Sequence, residues 1–279
     1  MNTNSEGSLH GRTILMSGGS RGIGLAIAIR AARDGANVAI LAKTAEPHPK
    51  LEGTIHTAAA EIEAAGGRAL AIVGDVRDEQ SILDAVHRTV EAFGGIDIVV
   101  NNASAIDLSP STQLAAKRFD LMQQIEVRGT FLLTRSAVEH LRASDRAHVL
   151  TLSPPLNLSK RWLGANVGYM LAKYGMTLAA LGFAAEFEGD AIASNTLWPR
   201  TIIATAAVQN LLGGEEAMAR SRTPQIMADA AHAILTRPPL EQTGQQLIDG
   251  EVLAAAGISD LSPYQHGDGS DLVTDIFLD

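Results

Sequence analysis

The sequence has no cysteine. Disulfides, thiolate nucleophiles, thiolate metal sites and cysteine-ligated iron–sulfur clusters are therefore excluded. Aromatic residues make up only 4% of the chain, and only 5 of its 22 basic residues are lysine. No run approaches the ~18 apolar residues of a membrane span. A net charge of −9 and a pI near 5.4 argue against a nucleic-acid partner, which needs a basic face. The 8 histidines are scattered without an HxxxH pair, so no metal is expected. The first ten residues are polar and carry no signal-peptide core, which makes a cytoplasmic location the expectation.

What the chain does have is apolar material, 46% of 279 residues, in a repeating pattern. Short β-prone runs at Thr13–Ser17, Asn37–Ala42, Ala69–Val73, Asp97–Asn101, His148–Ser153, Ile192–Trp198 and Gln245–Asp249 alternate with longer amphipathic stretches. The latter predict helices at Gly22–Asp34, Thr54–Ala65, Glu79–Phe93, Phe119–Arg142 and Val167–Glu188, with more helix up to about Leu235. Such alternation means βαβ crossovers and a parallel sheet, and near-continuous apolar strands mean a sheet covered on both faces. The fold expected is α/β: a three-layer, doubly wound, Rossmann-type sheet of about seven parallel strands. The alternation never breaks, so residues 11–258 form one domain. A disordered tail is expected over 1–10, and a tail packing on the surface or a neighbouring subunit over 259–279.

Between the first strand and first helix stands Ser17-Gly18-Gly19-Ser20-Arg21-Gly22-Ile23-Gly24. Glycines there let the backbone approach a ligand, and the helix start offers free N–H groups and partial positive charge to a pyrophosphate. Ser17, Gly18, Ser20, Arg21, Gly22, Ile23 and Gly24 are thus candidate contacts of a dinucleotide; the bland reading is a tight turn. The second strand ends Leu41-Ala42-Lys43, with no carboxylate at its tip to hold a ribose hydroxyl. Lys43 and Arg21 instead place two cations where a 2′-phosphate would lie, so the cofactor expected is NADP(H); the alternative is two solvated surface cations. Asp75 either accepts a hydrogen bond from the adenine amine or caps the next helix, and Val76 beside it is counted with the cofactor contacts.

Tyr169 and Lys173 are four apart on a predicted helix and share a face. A cation beside a phenol lowers its pKa, making Tyr169 a candidate acid for carbonyl reduction or base for alcohol oxidation. Alone, the spacing is more often a surface pair. Combined with the glycine turn and with Asn101-Asn102-Ala103 closing the fourth strand, the balance reverses.

These motifs resemble the short-chain dehydrogenase/reductase family. The family's Thr-Gly-x-x-x-Gly-x-Gly stands here as SGGSRGIG, its Asn-Asn-Ala-Gly as NNAS with Ser104 for glycine, and its Tyr-x-x-x-Lys as Tyr169-Met-Leu-Ala-Lys173. The stretches AKTAEPHPKLEGTIHTAA, SPPLNL, YMLAKYGM, LWPRT and IFLD resemble its hydroxysteroid dehydrogenase-like branch. The resemblance implies that Tyr169 donates and accepts the proton and that Lys173 also holds the nicotinamide ribose. It implies that Asn102 and Ala103 line the cofactor cleft, and that Pro199 and Thr201 sit near the nicotinamide amide. It further implies a homo-oligomer, a tetramer or dimer formed through the long central helices, acting on a small-molecule substrate.

The chain departs from the family at two places. The family's serine before the tyrosine falls at Ser153 only if the following Pro154 and Pro155 re-aim the chain; otherwise Ser153 is a strand-end residue bonded to its own backbone. Glu126 stands where the family has asparagine. It either pairs with Lys173 or Arg128, takes part in proton transfer, or is a helix carboxylate neutralised by a nearby cation. Apolar Trp162, Leu163, Ile202, Ile203, Val208, Leu211 and Leu212 suggest a lipophilic alcohol or ketone, or are core or subunit interface. The rival reading is an NADP(H)-binding regulatory or scaffold protein that has lost efficient catalysis.

Overall fold

A computed structural model describes residues 7–47, 53–211, 213–267 and 271–279. Seven strands form one parallel sheet in the order β3-β2-β1-β4-β5-β6-β7. They are β1 (Thr13–Ser17), β2 (Asn37–Ala42), β3 (Arg68–Val73), β4 (Ile98–Asn101), β5 (His148–Thr151), β6 (Ala193–Trp198) and β7 (Gln246–Ile248). Every residue of β1, β4, β5 and β6 is buried, which is why these strands read as unbroken apolar or small-residue runs.

Eleven helices among the described residues cover the sheet: α1 (Gly22–Ala32), α2 (Ile55–Ala64), α3 (Glu79–Phe93), α4 (Ala116–Gln123), α5 (Gly129–Arg142), α6 (Lys160–Ala165), α7 (Val167–Glu186), α8 (Ala206–Leu211), α9 (Gly214–Ala219), α10 (Gln225–Leu235) and α11 (Asp249–Ala255). One core layer joins α1, α2 and α10 to one face of the sheet, through residues such as Ile27, Ile62 and Ile226. The other joins α3 and α5 to the opposite face through Ile82, Leu133 and Leu141. A third cluster gathers Trp162, Tyr169, Tyr174, Trp198 and Phe277 beyond the carboxyl edge.

That edge is aligned by register: Leu41, Ser17, Asn101, Thr151 and Thr196 lie in one row across the sheet. The chain leaves β1 in one direction for β2 and returns on its other side as β4. The crevice for a ligand opens where the winding reverses, above Ser17 and Asn101.

Two sequence expectations need revision. The single helix expected over Phe119–Arg142 is interrupted by a wide π-type turn at Gln124–Arg128, which lodges one extra residue and carries Glu126 into the interior. The tail expected over 1–10 already packs at Leu9, which is buried and whose N–H donates to Asp34 at 2.8 Å; residues 1–6 lie outside the described residues. In the segment expected to pack on the surface or on a neighbouring subunit, the described residues 259–267 and 271–279 make contacts within this chain. Thr201 pairs antiparallel with Thr274, Tyr264 donates to Asp229 at 2.8 Å, and Phe277 is 2% exposed.

Candidate active site

The glycine turn is closed by β4. The Ser17 hydroxyl accepts hydrogen bonds from the backbone N–H groups of Asn102 and Ala103, both at 3.2 Å, and the Asn102 amide donates to the Gly18 carbonyl at 2.8 Å. Gly18 has φ +73°, and a Cβ there would lie 2.9 Å from the Ala103 backbone. A Cβ at Gly24 would lie 2.6 Å from the Asn102 amide and 2.7 Å from the Gly18 carbonyl. Two motifs 80 residues apart in sequence thus interlock through atoms that leave no room for side chains at these glycines.

Over this turn lies a cavity of about 720 Å³. Ten of the sequence-predicted residues line it: Gly18, Ser20, Arg21, Gly22, Ile23, Lys43, Asp75, Val76, Asn102 and Ala103. Ser17 and Gly24 stand behind it as the scaffold just described. Thr44, Ser104, Ile106, Ile125 and Thr205 also line it and were missed. Ser104 carried a visible signal, because it departs from the family's glycine.

The cavity's cations are placed differently from one another. Lys43 is exposed at the tip of β2. Arg21 is partly buried: one guanidinium nitrogen donates to the Gly53 carbonyl at 2.8 Å, while Nε is buried without a hydrogen-bond partner among the described residues. Burial lowers its pKa. Asp75 forms a two-pronged pair with Arg77, whose hydrogen bonds hold its carboxyl below the usual carboxylate range. The capping alternative for Asp75 is not realised, since Asp78 caps α3 by accepting from the N–H groups of Gln80 and Ser81.

Tyr169 and Lys173 share the inner face of α7, both 3% exposed. The Lys173 ammonium donates to the Leu152 carbonyl at 3.0 Å, lies 3.8 Å from a Glu126 carboxyl oxygen, and sits 5.4 Å over the Trp198 ring. The other Glu126 oxygen accepts from the Ser104 hydroxyl at 3.2 Å and the Ala105 N–H at 3.1 Å. Arg128, the alternative partner, donates instead to the Arg77 carbonyl. Ser104 also acts on the Tyr169 phenol, whose pKa it lowers, so a residue of the cavity wall that donates to the carboxyl bears on the phenol as well.

The electrostatics correct one expectation. The phenol pKa is pushed well above its ordinary value, chiefly by burial and then by the nearby Glu126 and Asp275 carboxylates; Ser104 opposes this. The Lys173 ammonium faces Leu152 and Glu126, and burial lowers its own pKa against the pull of Glu126 and Asp275. Burial likewise raises Glu126, against Lys173 and its two hydrogen bonds.

Ser153 is fully buried, and its hydroxyl accepts from Thr177 at 3.0 Å; it does not line the cavity. Ser153 follows the end of β5 at Thr151, and Thr177 also donates to the carbonyl of Pro154, which holds this stretch against α7. Pro199 and Thr201 are buried after β6, and Thr201 is engaged with Thr274. Of the expected apolar wall, Trp162, Ile202, Ile203 and Val208 are buried and Leu163 is partly exposed; Leu212 lies outside the described residues.

The sequence profile of the short-chain dehydrogenase family matches residues 12–215. The chain belongs to that family. It is 54% identical over 275 residues to a hydroxysteroid dehydrogenase-like protein 2 of Danio rerio, covering 99% of this chain and 66% of that relative's length. A solved short chain dehydrogenase of Mycobacterium thermoresistibile is 59% identical, with a TM-score of 0.93 over 98% of this chain and 96% of its own. The fold is also that of a carveol dehydrogenase of Mycobacterium avium solved with NAD, at 21% identity and a TM-score of 0.75 over 86% and 96% of the two chains. The short-chain dehydrogenases are oxidoreductases that use nicotinamide dinucleotides, and the seven-stranded parallel sheet of this chain is theirs. Among the described residues no helix is long and apolar enough to cross a membrane, and no group of three or more metal-ligating side chains could hold a metal ion.

Proposed function

We propose that the chain is an NADP(H)-dependent oxidoreductase interconverting a carbonyl and a secondary or primary alcohol on a lipophilic substrate. Tyr169 is the general acid/base, and Lys173 supports it and binds the ribose. The observation that carries this reading is the series Lys173–Glu126–Ser104, which runs from the buried face that Lys173 shares with Tyr169 on α7 to the wall of a cavity built on the glycine turn.

The residues fit a dinucleotide. Gly18 and Gly24 let the turn close against Asn102 and Ala103 where a Cβ would not fit, and the start of α1 faces the cavity with N–H groups suited to a diphosphate. Arg21, with a buried unpartnered nitrogen, and Lys43 would meet a 2′-phosphate, which favours NADP(H) over NAD(H). Asp75 and Val76 would flank the adenine; Asn102, Ala103, Pro199 and Thr201 would flank the nicotinamide half. When bound, the cofactor supplies or takes up the hydride. Tyr169 donates its proton to the substrate oxygen in reduction and accepts one in oxidation. A phenol pKa above neutral keeps that proton in place beforehand, which suits the acid role. Lys173 then stabilises the phenolate formed. The exposed Phe131 of α5 and Leu171 and Leu178 of α7 support an oligomer, a dimer or tetramer, through these helices. The proposed setting is cytoplasmic, with no nucleic-acid partner.

The test is NADPH oxidation with purified protein and a panel of steroid, terpenoid and fatty-acyl carbonyls. Turnover that disappears in Tyr169→Phe while NADPH binding persists supports the enzyme; turnover only of small polar sugars removes the lipophilic substrate. A second reading, an NADP(H)-binding regulatory or scaffold protein with weak or no turnover, is favoured by Ser153 being committed to Thr177 and by the raised Tyr169 pKa. Tight NADPH binding with no turnover across the panel would establish it.

A further inference from the structure

Phe277 lies more than 100 residues from Tyr169 in sequence, yet its ring stacks on the Tyr169 ring with centroids 6.2 Å apart and planes at 20°. Tyr174, Trp162 and Trp198 surround the same ring at 5.1, 5.8 and 6.4 Å. Ser104 on the wall of the glycine-turn cavity is joined to Lys173, one turn from Tyr169 on α7, through Glu126, whereas Phe277 comes from a segment that does not line that cavity.

The segment is anchored on both sides of the ring by directed polar contacts. The Trp198 indole donates to the Ile276 carbonyl at 3.1 Å, and the Asn157 amide to the Phe277 carbonyl at 3.3 Å. The Asp279 carboxylate accepts from the Trp162 indole at 3.0 Å and from Asn157 at 2.9 Å. These contacts hold Phe277 at φ +71°, a left-handed conformation that a non-glycine residue adopts only where its surroundings enforce it. Simple core filling requires neither the strained backbone nor the anchors.

We propose that Phe277 is a specificity-determining residue: its ring forms the wall of the substrate site beside Tyr169 and limits the size of the apolar ring system that can lie there. The inference rests on Tyr169 being the acid/base of the proposed reaction. The ligand class it names is an alicyclic or aromatic carbonyl compound, bound through its flat apolar face by the remaining aromatic walls.

The chain offers a direct probe, because its only two tryptophans, Trp162 and Trp198, both flank Phe277. The experiment titrates cyclohexanone, decalone and a four-ring steroid ketone into the full chain saturated with NADP+, reading tryptophan emission, in wild type, Phe277→Ala and Phe277→Leu. Circular dichroism confirms folding, and the Leu variant decides by the same ratio if the Ala variant does not fold. The expected result is that the affinity ratio of two-ring to one-ring ketone rises at least about tenfold in Phe277→Ala, with Phe277→Leu between the two. An unchanged ratio, an equal loss of affinity for all three ketones, or ketones that leave the emission unaltered in every protein would overturn the proposal. NADPH oxidation run in parallel separates the two claims. A shifted ratio without turnover retains the size limit and rejects the enzyme, while turnover with an unshifted ratio does the reverse.

Discussion

Asp275 offers a quantitative check on the electrostatics beside Tyr169. Its carboxyl is pushed up to about 7, first by burial and then by the neighbouring Asp249; the Ile276 N–H at 2.7 Å and the Lys173 charge oppose the rise. An unfolded aspartate titrates near 3.8. The folded chain therefore holds this proton more tightly than the unfolded one, and stability from this group is complete below about pH 4 and lost as the pH climbs to about 7. A pKa separation of about three is worth about 4 kcal/mol, and because the residue retains some exposure the expected loss is about 2–4 kcal/mol. Asp275→Asn keeps an acceptor for the Ile276 N–H but has no charge to bury, and Lys173 keeps Glu126 at 3.8 Å. Urea unfolding from about pH 4 to about pH 9 measures the difference. The variant should match wild type at the acid end and exceed it by about 2–4 kcal/mol at about pH 8, with an unchanged dependence on urea. Parallel stability curves over the whole range would refute the reasoning.

Two further outcomes concern the cofactor cradle. Gly24→Ala places a methyl group 2.6 Å from the Asn102 amide and should cost about 1–3 kcal/mol of stability, with NADPH binding weakened at least about tenfold, checked by thermal unfolding and by calorimetric titration. Lys43→Ala should weaken NADPH by about tenfold at low salt, and less as salt rises, while NADH binding changes by less than about twofold; equal losses for the two nucleotides would contradict the 2′-phosphate assignment.

The sheet was legible because buried parallel strands leave contiguous apolar runs, and the seven observed strands fall where those runs lie, within two residues at their ends. The cofactor cavity was legible for a similar reason. Its lining comes largely from short motifs at strand ends, where Gly18, Asp75 and Asn102 are placed by the sheet's register. What escaped were contacts between distant segments. Nothing local to Ser153 reveals that Thr177, a turn further along α7 than Lys173, donates to its hydroxyl. Nothing in the stretch 259–279 reveals that Phe277 closes over Tyr169, since its two aromatic residues, Tyr264 and Phe277, are too far apart to carry a periodicity. The direction of the Tyr169 pKa was not legible, because spacing reports a neighbouring cation and not the burial and the Glu126 and Asp275 carboxylates that raise it.

The π-type turn at Gln124–Arg128 makes the stretch from Ala116 to Arg142 one residue longer than a regular helix joining the same endpoints. Deletion of a single residue there would let the two flanking helices fuse without either rotating. A shorter homologue could thus share every helix face with this chain and still lack an anionic neighbour for Lys173. The acidity around the Tyr169 phenol can in this way be rewritten by a length change of one codon, with no substitution in the Tyr-x-x-x-Lys motif itself.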